Sequence, residues 1–190
     1  LAVHLTQGQL LPLYRAAQLI EQLFGLPLSA ATVHAWIGQA ARRLAPQVER
    51  IGQALAATPV AHADESGLRV EAKLYWLHTV ANPTLTWYGV HAKRGAPAMQ
   101  THGILPQRTG VLVHDCWKPY WQMPGEHALC NAHLIRELTF LHETTGQRWP
   151  KRMIRHLTRA RDHCERARRA QHSALPCRLE RKSPSGSVIG

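Results

Sequence analysis

The sequence predicts an α/β fold in which helices precede a mixed sheet and a basic helix follows it. Three observations support this prediction. Apolar residues recur at helical spacing over residues 8–24 and 29–55, alternate at strand spacing over residues 59–91, and return to helical spacing after residue 133. With 190 residues, of which 45% are apolar, the chain is long enough to bury a core.

Two helices are predicted in the first part of the chain. Gly25 is expected to end the first helix, because a glycine just past the last turn readily becomes left-handed. Ser29 is the predicted N-cap of the second helix, and Pro46 should kink or restart that helix. The pair is compatible with a helix-turn-helix, but the spacing fits an ordinary helical hairpin and favours it.

Five strands and a short helix are predicted after residue 58. The strands cover residues 59–64, 74–80, 84–91 and 110–115, with a fifth near residue 127, and the helix covers residues 96–102. The first three strands can form an antiparallel meander, and a crossover through the short helix would lay the fourth strand parallel to the first. This arrangement is the front half of a ribonuclease-H-like fold.

Two of the predicted strands end on an aspartate, Asp64 and Asp115. Because the carboxyl ends of neighbouring parallel strands meet at one edge of a sheet, we expect the two carboxylates to lie close together. Mg²⁺, with Mn²⁺ as a substitute, prefers such oxygen ligands. Two ions could activate a water or a 3′-hydroxyl and stabilise the leaving oxygen. Acidic residues at strand ends are also common without a metal.

The charge of the chain favours a polyanionic partner. Lys and Arg number 23 against 12 Asp and Glu, a formal net charge of +11, so nucleic acid is the first candidate and a merely basic soluble protein the alternative. The predicted helix over residues 148–169 is strongly basic, and mutual repulsion along it favours contact with phosphates over a solvated face. The candidate DNA-contacting residues are Lys93, Arg94, Lys151, Arg152, Arg155 and Arg159.

The cysteines and the hydropathy indicate no further class of protein. No CxxC pair is present, so neither a disulfide framework nor a zinc ribbon is predicted. His127, Cys130 and His133 have spacings that occur in zinc sites, but without a clear fourth ligand a packed core role is favoured. No apolar run reaches membrane-spanning length and no signal peptide is visible, so a cytoplasmic protein without membrane contact is expected.

Residues beside the candidate site receive simpler interpretations. Glu65 follows Asp64 on a strand, so it should point to the opposite face and be a surface acid. The aromatic residues of the second and third strands are expected in the core rather than as platforms for bases: Trp76, Trp87 and Tyr88.

Several short motifs occur in an order that carries a family resemblance. They are His62-Ala-Asp64-Glu-Ser-Gly-Leu-Arg-Val70, Leu74-Tyr-Trp-Leu-His78, Lys93-Arg94-Gly95, Gly103-Ile-Leu-Pro106, Gly110-Val-Leu-Val-His-Asp115, and His127-Ala-Leu-Cys-Asn-Ala-His133 followed by Arg136-Glu-Leu138. Over residues 5–171 the chain resembles the DDE transposases of bacterial insertion sequences, in the sixty-six-type family.

The resemblance implies a catalytic core that cuts and joins DNA at transposon ends with Mg²⁺. By position, Asp64 matches the first catalytic aspartate and Asp115 the second. The third member, a glutamate, lies in this family beyond a helical insertion. Glu137 is not expected to replace it, and a salt bridge to an arginine is its simpler role. Further copies of the chain and other transposon-encoded proteins are additional possible partners.

The resemblance also suggests how the chain is divided. A helical, DNA-contacting region over residues 1–57 would precede an incomplete catalytic core over 58–146, a basic helix over 147–171 that starts the insertion, and a disordered tail over 172–190 outside the family pattern. Because the third carboxylate and the family's cysteine-containing amino-terminal segment are missing, a truncated transposase is expected. The alternatives are a DNA-binding remnant without catalysis and a ribonuclease-H-like nuclease acting on RNA or repair intermediates.

Overall fold

The computed structural model describes residues 1–172, which divide between two compact units. The first unit comprises Leu1–Val113 and Trp117–His127, and the second comprises His114–Cys116 and residues 128–172. The tail predicted to be disordered, residues 172–190, lies outside the described residues except for His172.

The first unit starts with helices that pack as a pair. Ala17 and Ile20 of the first long helix share a buried cluster with Val33 of the second. The predicted Gly25 end is confirmed, since this glycine is left-handed with φ 65°. The predicted cap is also confirmed, because the Ser29 hydroxyl accepts a hydrogen bond from the N–H of Thr32 at 3.0 Å. The helices are a π-helical turn (His4–Gly8), α1 (Leu13–Phe24) and α2 (Ala30–Ala56).

Pro46 does not restart the second helix. Helix α2 continues through Pro46 as one element of 27 residues, with Val33 packed against α1 at one end and Leu55 in the sheet core at the other. A restart at Pro46 is therefore excluded, whereas the alternative of a kink stays a prediction, and the apolar stripe on both sides of the proline explains why the helix continues. Burial of that stripe offsets the one backbone hydrogen bond that a proline removes.

The described residues contain one mixed sheet of five strands: β1 (Val60–Val70), β2 (Lys73–Ala81), β3 (Thr86–His91), β4 (Val111–His114) and β5 (Glu126–Leu129). Their order in the sheet is β3-β2-β1-β4-β5. Strands β1, β2 and β3 form the predicted antiparallel meander. Strand β4 runs parallel to β1, with Val60 opposite Val111 and His62 opposite Val113, and helix α3 (Ala96–His102) lies in the connection, so the predicted crossover is also confirmed.

Buried and exposed residues alternate along β1, so one face of the sheet packs on the hydrophobic core and the other faces the solvent. Ala61 and Ala63 are buried against Leu55 of α2 and Leu112 of β4, whereas Asp64 faces the solvent. This mixed α/β architecture, with its flanking helices, confirms the predicted fold class and is consistent with a ribonuclease-H-like core.

Arg108 joins α2 to the two parallel strands. It is among the largest fully buried side chains of the described chain, and its exposed fraction is 1%. Its NH1 donates to the carbonyl oxygen of Leu55 at 2.5 Å, and its NH2 donates to the carbonyl oxygens of Thr58 at 3.1 Å and Val111 at 3.0 Å. Burial lowers the pKa of Arg108, but a guanidinium remains charged in proteins. One cation thus satisfies carbonyls from three segments.

Gly110 permits the close approach of β4 to β1. A Cβ atom at this position would lie 2.3 Å from the carbonyl oxygen of Pro59, which is shorter than any van der Waals contact. The same oxygen accepts a hydrogen bond from the N–H of Val111 at 2.8 Å. A glycine at the start of β4 is therefore required for this pairing.

The described part of the second unit contains two helices that pack together, α4 (Asn131–Thr145) and α5 (Trp149–Arg169). The bounds of α5 confirm the predicted basic helix. Along residues 1–172, every helix is too short or too polar to cross a membrane.

Candidate functional site

Asp64 lies near the middle of β1, just beyond the residues that pair with β4. The prediction that its strand ends on this residue is therefore wrong, because β1 continues to Val70 in its pairing with β2. The Asp64 side chain is solvent-exposed, and one carboxylate oxygen, Oδ1, accepts a hydrogen bond from the backbone N–H of Glu65 at 2.9 Å. The parallel register ends at His62. Asp64 therefore stands two residues past the last paired residue of its strand.

Asp115 directly follows β4 and is half-buried. It stands two residues past Val113, the last residue of β4 in the parallel register. The preceding His114 is fully buried, and its Nδ1 is hydrogen-bonded to the backbone oxygen of Asp115. This contact holds the backbone on which the Asp115 carboxylate is carried. The two aspartates belong to different units, and their predicted proximity stays a prediction.

Carboxylate oxygens at these two positions suit a hard divalent cation such as Mg²⁺. Within residues 1–172, no group of three or more His, Cys, Asp or Glu side chains is arranged to hold a metal ion. The candidate zinc ligands His127, Cys130 and His133 therefore do not form such a group. Among these three residues, burial opposes ionisation of the Cys130 thiol, yet hydrogen bonds with His133 lower its pKa on balance.

Glu65 corrects one expectation and bears out another. It points to the face opposite Asp64, as strand alternation predicts, but that face is buried and only 1% of its side chain is exposed. The interpretation as a surface acid is therefore wrong. Its Oε1 accepts a hydrogen bond from Nε of Arg94 at 2.8 Å and lies 2.7 Å from NH2 of the same residue. This pair could not be recognised from the sequence, because its members are 29 residues apart.

The six candidate DNA-contacting residues fall into two environments. Arg94 is already paired with Glu65, and 37% of its side chain remains exposed. Lys93 and the candidates on α5 have exposed side chains: Lys151, Arg152, Arg155 and Arg159. Contact of any of them with DNA stays a prediction.

The aromatic residues of β2 and β3 differ from one another in burial. Trp87 packs against the sheet core and Trp76 is half-buried, as expected for core residues. Tyr88 is 60% exposed, so its expected core position is wrong. Tyr88 follows Trp87 on a strand, and alternation sends its ring to the other face.

A histidine pair lies beside the sheet core. The rings of His78 on β2 and His102 on α3 are 5.2 Å apart between centroids, and neither buried Nε2 has a hydrogen-bond partner within residues 1–172. Burial lowers the pKa of His78; His91 and Arg94 lower it further, whereas a backbone hydrogen bond with Lys93 and the charge of Glu65 oppose the shift. Burial, followed by the nearby His78 and His91, lowers the pKa of His102.

These pKa shifts predict a loss of stability in acid. The unfolded chain protonates each histidine near pH 6.5, whereas the folded chain resists protonation to lower pH. The stabilisation is therefore complete above about pH 6.5 and declines as the pH falls toward the folded pKa, by up to about 1.4 kcal/mol per pH unit for each histidine. Urea unfolding between pH 5 and pH 7.5 measures this decline.

The variant His102→Gln should make that decline shallower, because one of the two titrating groups is removed. His156→Gln is the matched control, since His156 is exposed on α5. A wild-type protein with equal stability at pH 5 and pH 7 would show that the buried rings do not control acid stability.

Comparison with known proteins gives one family. Residues 2–186, nearly the whole chain, match the model of the Transposase IS66 family. The match continues past residue 171, where the recognised motifs end, so the expectation that the following residues depart from the family pattern is wrong up to residue 186. No curated protein matches the chain.

Proposed function

Because this chain belongs to the IS66 transposase family, we propose that it cleaves DNA at transposon ends and joins the ends to new DNA. Family membership indicates a transposase role and DNA as a partner. DDE transposases generally use a divalent metal ion, and we assign that ion to Asp64 and Asp115, with Mg²⁺ as the cation.

The observation that carries this assignment is the parallel pairing of β1 with β4. If this register continued by two residues, Asp64 of β1 would stand opposite Asp115, at the carboxyl end of β4, and open α/β sheets have their sites at such strand ends. Asp64 and Asp115 follow the paired residues by the same number of positions. Their role is to bind and orient the cation, which needs no proton transfer by either carboxylate.

A bound divalent cation would polarise the scissile phosphate and lower the pKa of the attacking water or hydroxyl. The protein contributes the orientation of the ligands. The hydrogen bond from the N–H of Glu65 restrains the Asp64 carboxylate, and the buried His114 restrains the backbone of Asp115.

DNA contact is assigned to the exposed basic residues of α5 and to Lys93, with residues 58–146 as the catalytic core and residues 1–57 as a further DNA-contacting region. Arg152, Arg155 and Arg159 are spaced by three and four residues, so their side chains lie along one side of α5. A row of cations with this spacing suits the phosphates of a duplex.

Neutralising one of these arginines should lower the salt dependence of DNA binding. If Arg155 contacts a phosphate, Arg155→Gln removes one phosphate contact, and one counterion fewer is released on binding. The slope of log affinity against log salt concentration should then be less negative by about 0.9. Fluorescence anisotropy with a labelled duplex at several salt concentrations measures the slope.

Arg161→Gln is the control on the same helix, because the Arg161 guanidinium donates to Asp162 at 2.9 Å. Both variants remove one positive charge, so only a local contact distinguishes them. Equal slopes for the wild type, Arg155→Gln and Arg161→Gln would exclude Arg155 from the DNA interface.

The proposed activity is tested on three substrates in Mg²⁺ or Mn²⁺: duplexes that carry the ends of the encoding element, unrelated duplexes, and RNA–DNA hybrids. Cleavage confined to the transposon ends, with joined products, supports the proposal. Cleavage of the hybrids alone would favour a ribonuclease-H-like nuclease. Salt-sensitive binding to the ends without cleavage would favour the DNA-binding remnant.

A further inference from the structure

The buried Glu65 is the centre of a cluster of side chains drawn from four separate segments. Besides the two nitrogens of Arg94 at Oε1, its other oxygen, Oε2, accepts a hydrogen bond from the hydroxyl of Tyr120. Tyr120 is 1% exposed and lies on the short 3₁₀ helix Lys118–Gln122. Both carboxylate oxygens of Glu65 are therefore held from outside its own strand. We call these residues, together with Trp76 and Trp117, the Glu65 cluster.

The guanidinium of Arg94 is held on its faces as well as at its edge. Its central carbon lies 3.9 Å from the ring centroid of Trp117 and 4.7 Å from that of Trp76, within the range of cation–π contacts. The following Gly95 makes room for this packing. A Cβ atom there would come within 2.8 Å of the Trp117 ring, and the backbone φ of +80° favours glycine. A flat, delocalised cation fits between two rings, which a lysine ammonium would not do equally well.

A second contact of Glu65 reaches Asp64. The backbone N–H of Glu65 donates to Oδ1 of Asp64 at 2.9 Å. The orientation of that N–H depends on the peptide plane of Glu65, and the fixed side chain of Glu65 restricts its backbone. Hydrogen bonds from Arg94 and Tyr120 to the Glu65 side chain are thus linked, through the covalent bonds within Glu65, to the hydrogen bond from its N–H to the Asp64 carboxylate.

We propose that Glu65 is a positioning residue for Asp64: Arg94 and Tyr120 fix its side chain, so that its N–H holds the Asp64 carboxylate oriented for a divalent cation. The inference rests on the proposed function, because it requires Asp64 to be a metal ligand. Partners that orient metal ligands typically change metal affinity by about 10-fold to 100-fold when they are removed.

Burial of the Glu65 carboxylate is better explained by positioning than by stability. Removing a charge from water is costly, and a buried ionic contact is weak evidence for a stabilising role. What a carboxylate held at both oxygens adds is a single, defined orientation. The same cluster includes Trp117 and Tyr120, on the segment that follows Asp115 along the chain.

The experiment uses Tyr120→Phe and Arg94→Lys in the full chain. Tyr120→Phe removes the hydroxyl that donates to Oε2 and keeps the ring, and Arg94→Lys keeps the charge but loses the fork and the stacking. Free Mn²⁺, counted by its paramagnetic resonance signal, gives the affinity without depending on tryptophan fluorescence. We expect Mn²⁺ binding about tenfold weaker in each variant. The Glu65 amide resonance of the metal-free protein should also shift toward its unstructured value, while thermal unfolding stays cooperative.

Tyr88→Phe and Arg69→Lys are the matched controls, because both side chains are exposed on the same sheet and lie outside the cluster. If the wild type binds no Mn²⁺ in an Asp64-dependent way, the proposed function fails and this inference fails with it. If the wild type binds Mn²⁺ and both cluster variants bind it equally well, only the positioning role is overturned. Should Arg94→Lys fail to fold, Tyr120→Phe alone decides.

Discussion

Asp64→Asn is expected to reduce cleavage of transposon-end DNA about a thousandfold while the protein stays folded. The amide keeps the size of the side chain but loses the negative charge that binds the cation. The loss corresponds to about 4 kcal/mol of transition-state stabilisation, within the range supplied by a catalytic metal ion. Asp64 is exposed, so its substitution leaves no cavity in the core. Single-turnover experiments measure the rate of cleavage, and circular dichroism shows whether the variant is folded.

Asp115→Asn should reproduce this result, because both aspartates would serve the same cation. Asp162→Asn provides the comparison, since Asp162 pairs with Arg161 on α5. Saturable quenching of tryptophan fluorescence by Mn²⁺ should disappear in both site variants and persist in the comparison. Unfolding of either site variant, or undiminished cleavage, would show that the aspartates have another role.

Arg108→Ala is expected to lower the free energy of unfolding by about 3–5 kcal/mol. The substitution leaves the carbonyl oxygens of Leu55, Thr58 and Val111 without their shared donor. A buried acceptor left without a donor costs about 1–3 kcal/mol, partly relieved where water can enter. The cost should be smallest at Leu55, because its carbonyl oxygen still accepts from the Thr58 hydroxyl at 2.9 Å. Urea denaturation near neutral pH, with the slope compared between variants, measures the change.

Arg69→Ala is the matched control for Arg108→Ala, because Arg69 is exposed on β1 and has one long hydrogen bond of 3.4 Å to Ala72. It should change stability by less than about 0.5 kcal/mol. The loss of stability in Arg108→Lys should lie between those of Arg108→Ala and Arg69→Ala, since a lysine cannot reach all three carbonyls in the same geometry. A loss below about 1 kcal/mol for Arg108→Ala would mean that water replaces the guanidinium.

The parts of the fold that sequence predicts are those determined by neighbouring residues. The alternation around Ala61 and Ala63 is visible in the sequence, and so are the Ser29 cap and the left-handed Gly25. Arg108 is different, because its acceptors lie as far as 53 residues away, and a lone arginine in a basic chain looks like a surface residue. The acceptors of Arg108 come close to one another only when the chain is folded.

The candidate site likewise contains residues that a local pattern predicts, the two aspartates, and residues that depend on distant contacts, Glu65 and its partners. Asp64 and Asp115 can be singled out because each follows a short apolar run, and that pattern is local. Glu65 cannot be recognised as buried, since strand alternation gives the face on which it lies but not what covers that face. Its partner Tyr120 is 55 residues away in the sequence.

Helix α2 crosses between two separate buried clusters, and Pro46 stands between them. The amino-terminal half packs with α1 through Val33, and the carboxyl-terminal half packs on the sheet through Leu55. A proline has no amide hydrogen, so it interrupts the ladder of hydrogen bonds that makes a helix open and close as one piece. We therefore expect amide exchange in the two halves to be only weakly coupled. The half that packs on α1 should open and exchange its protons more readily, while the Leu55 end, held by Arg108, keeps the sheet and Asp64 in place.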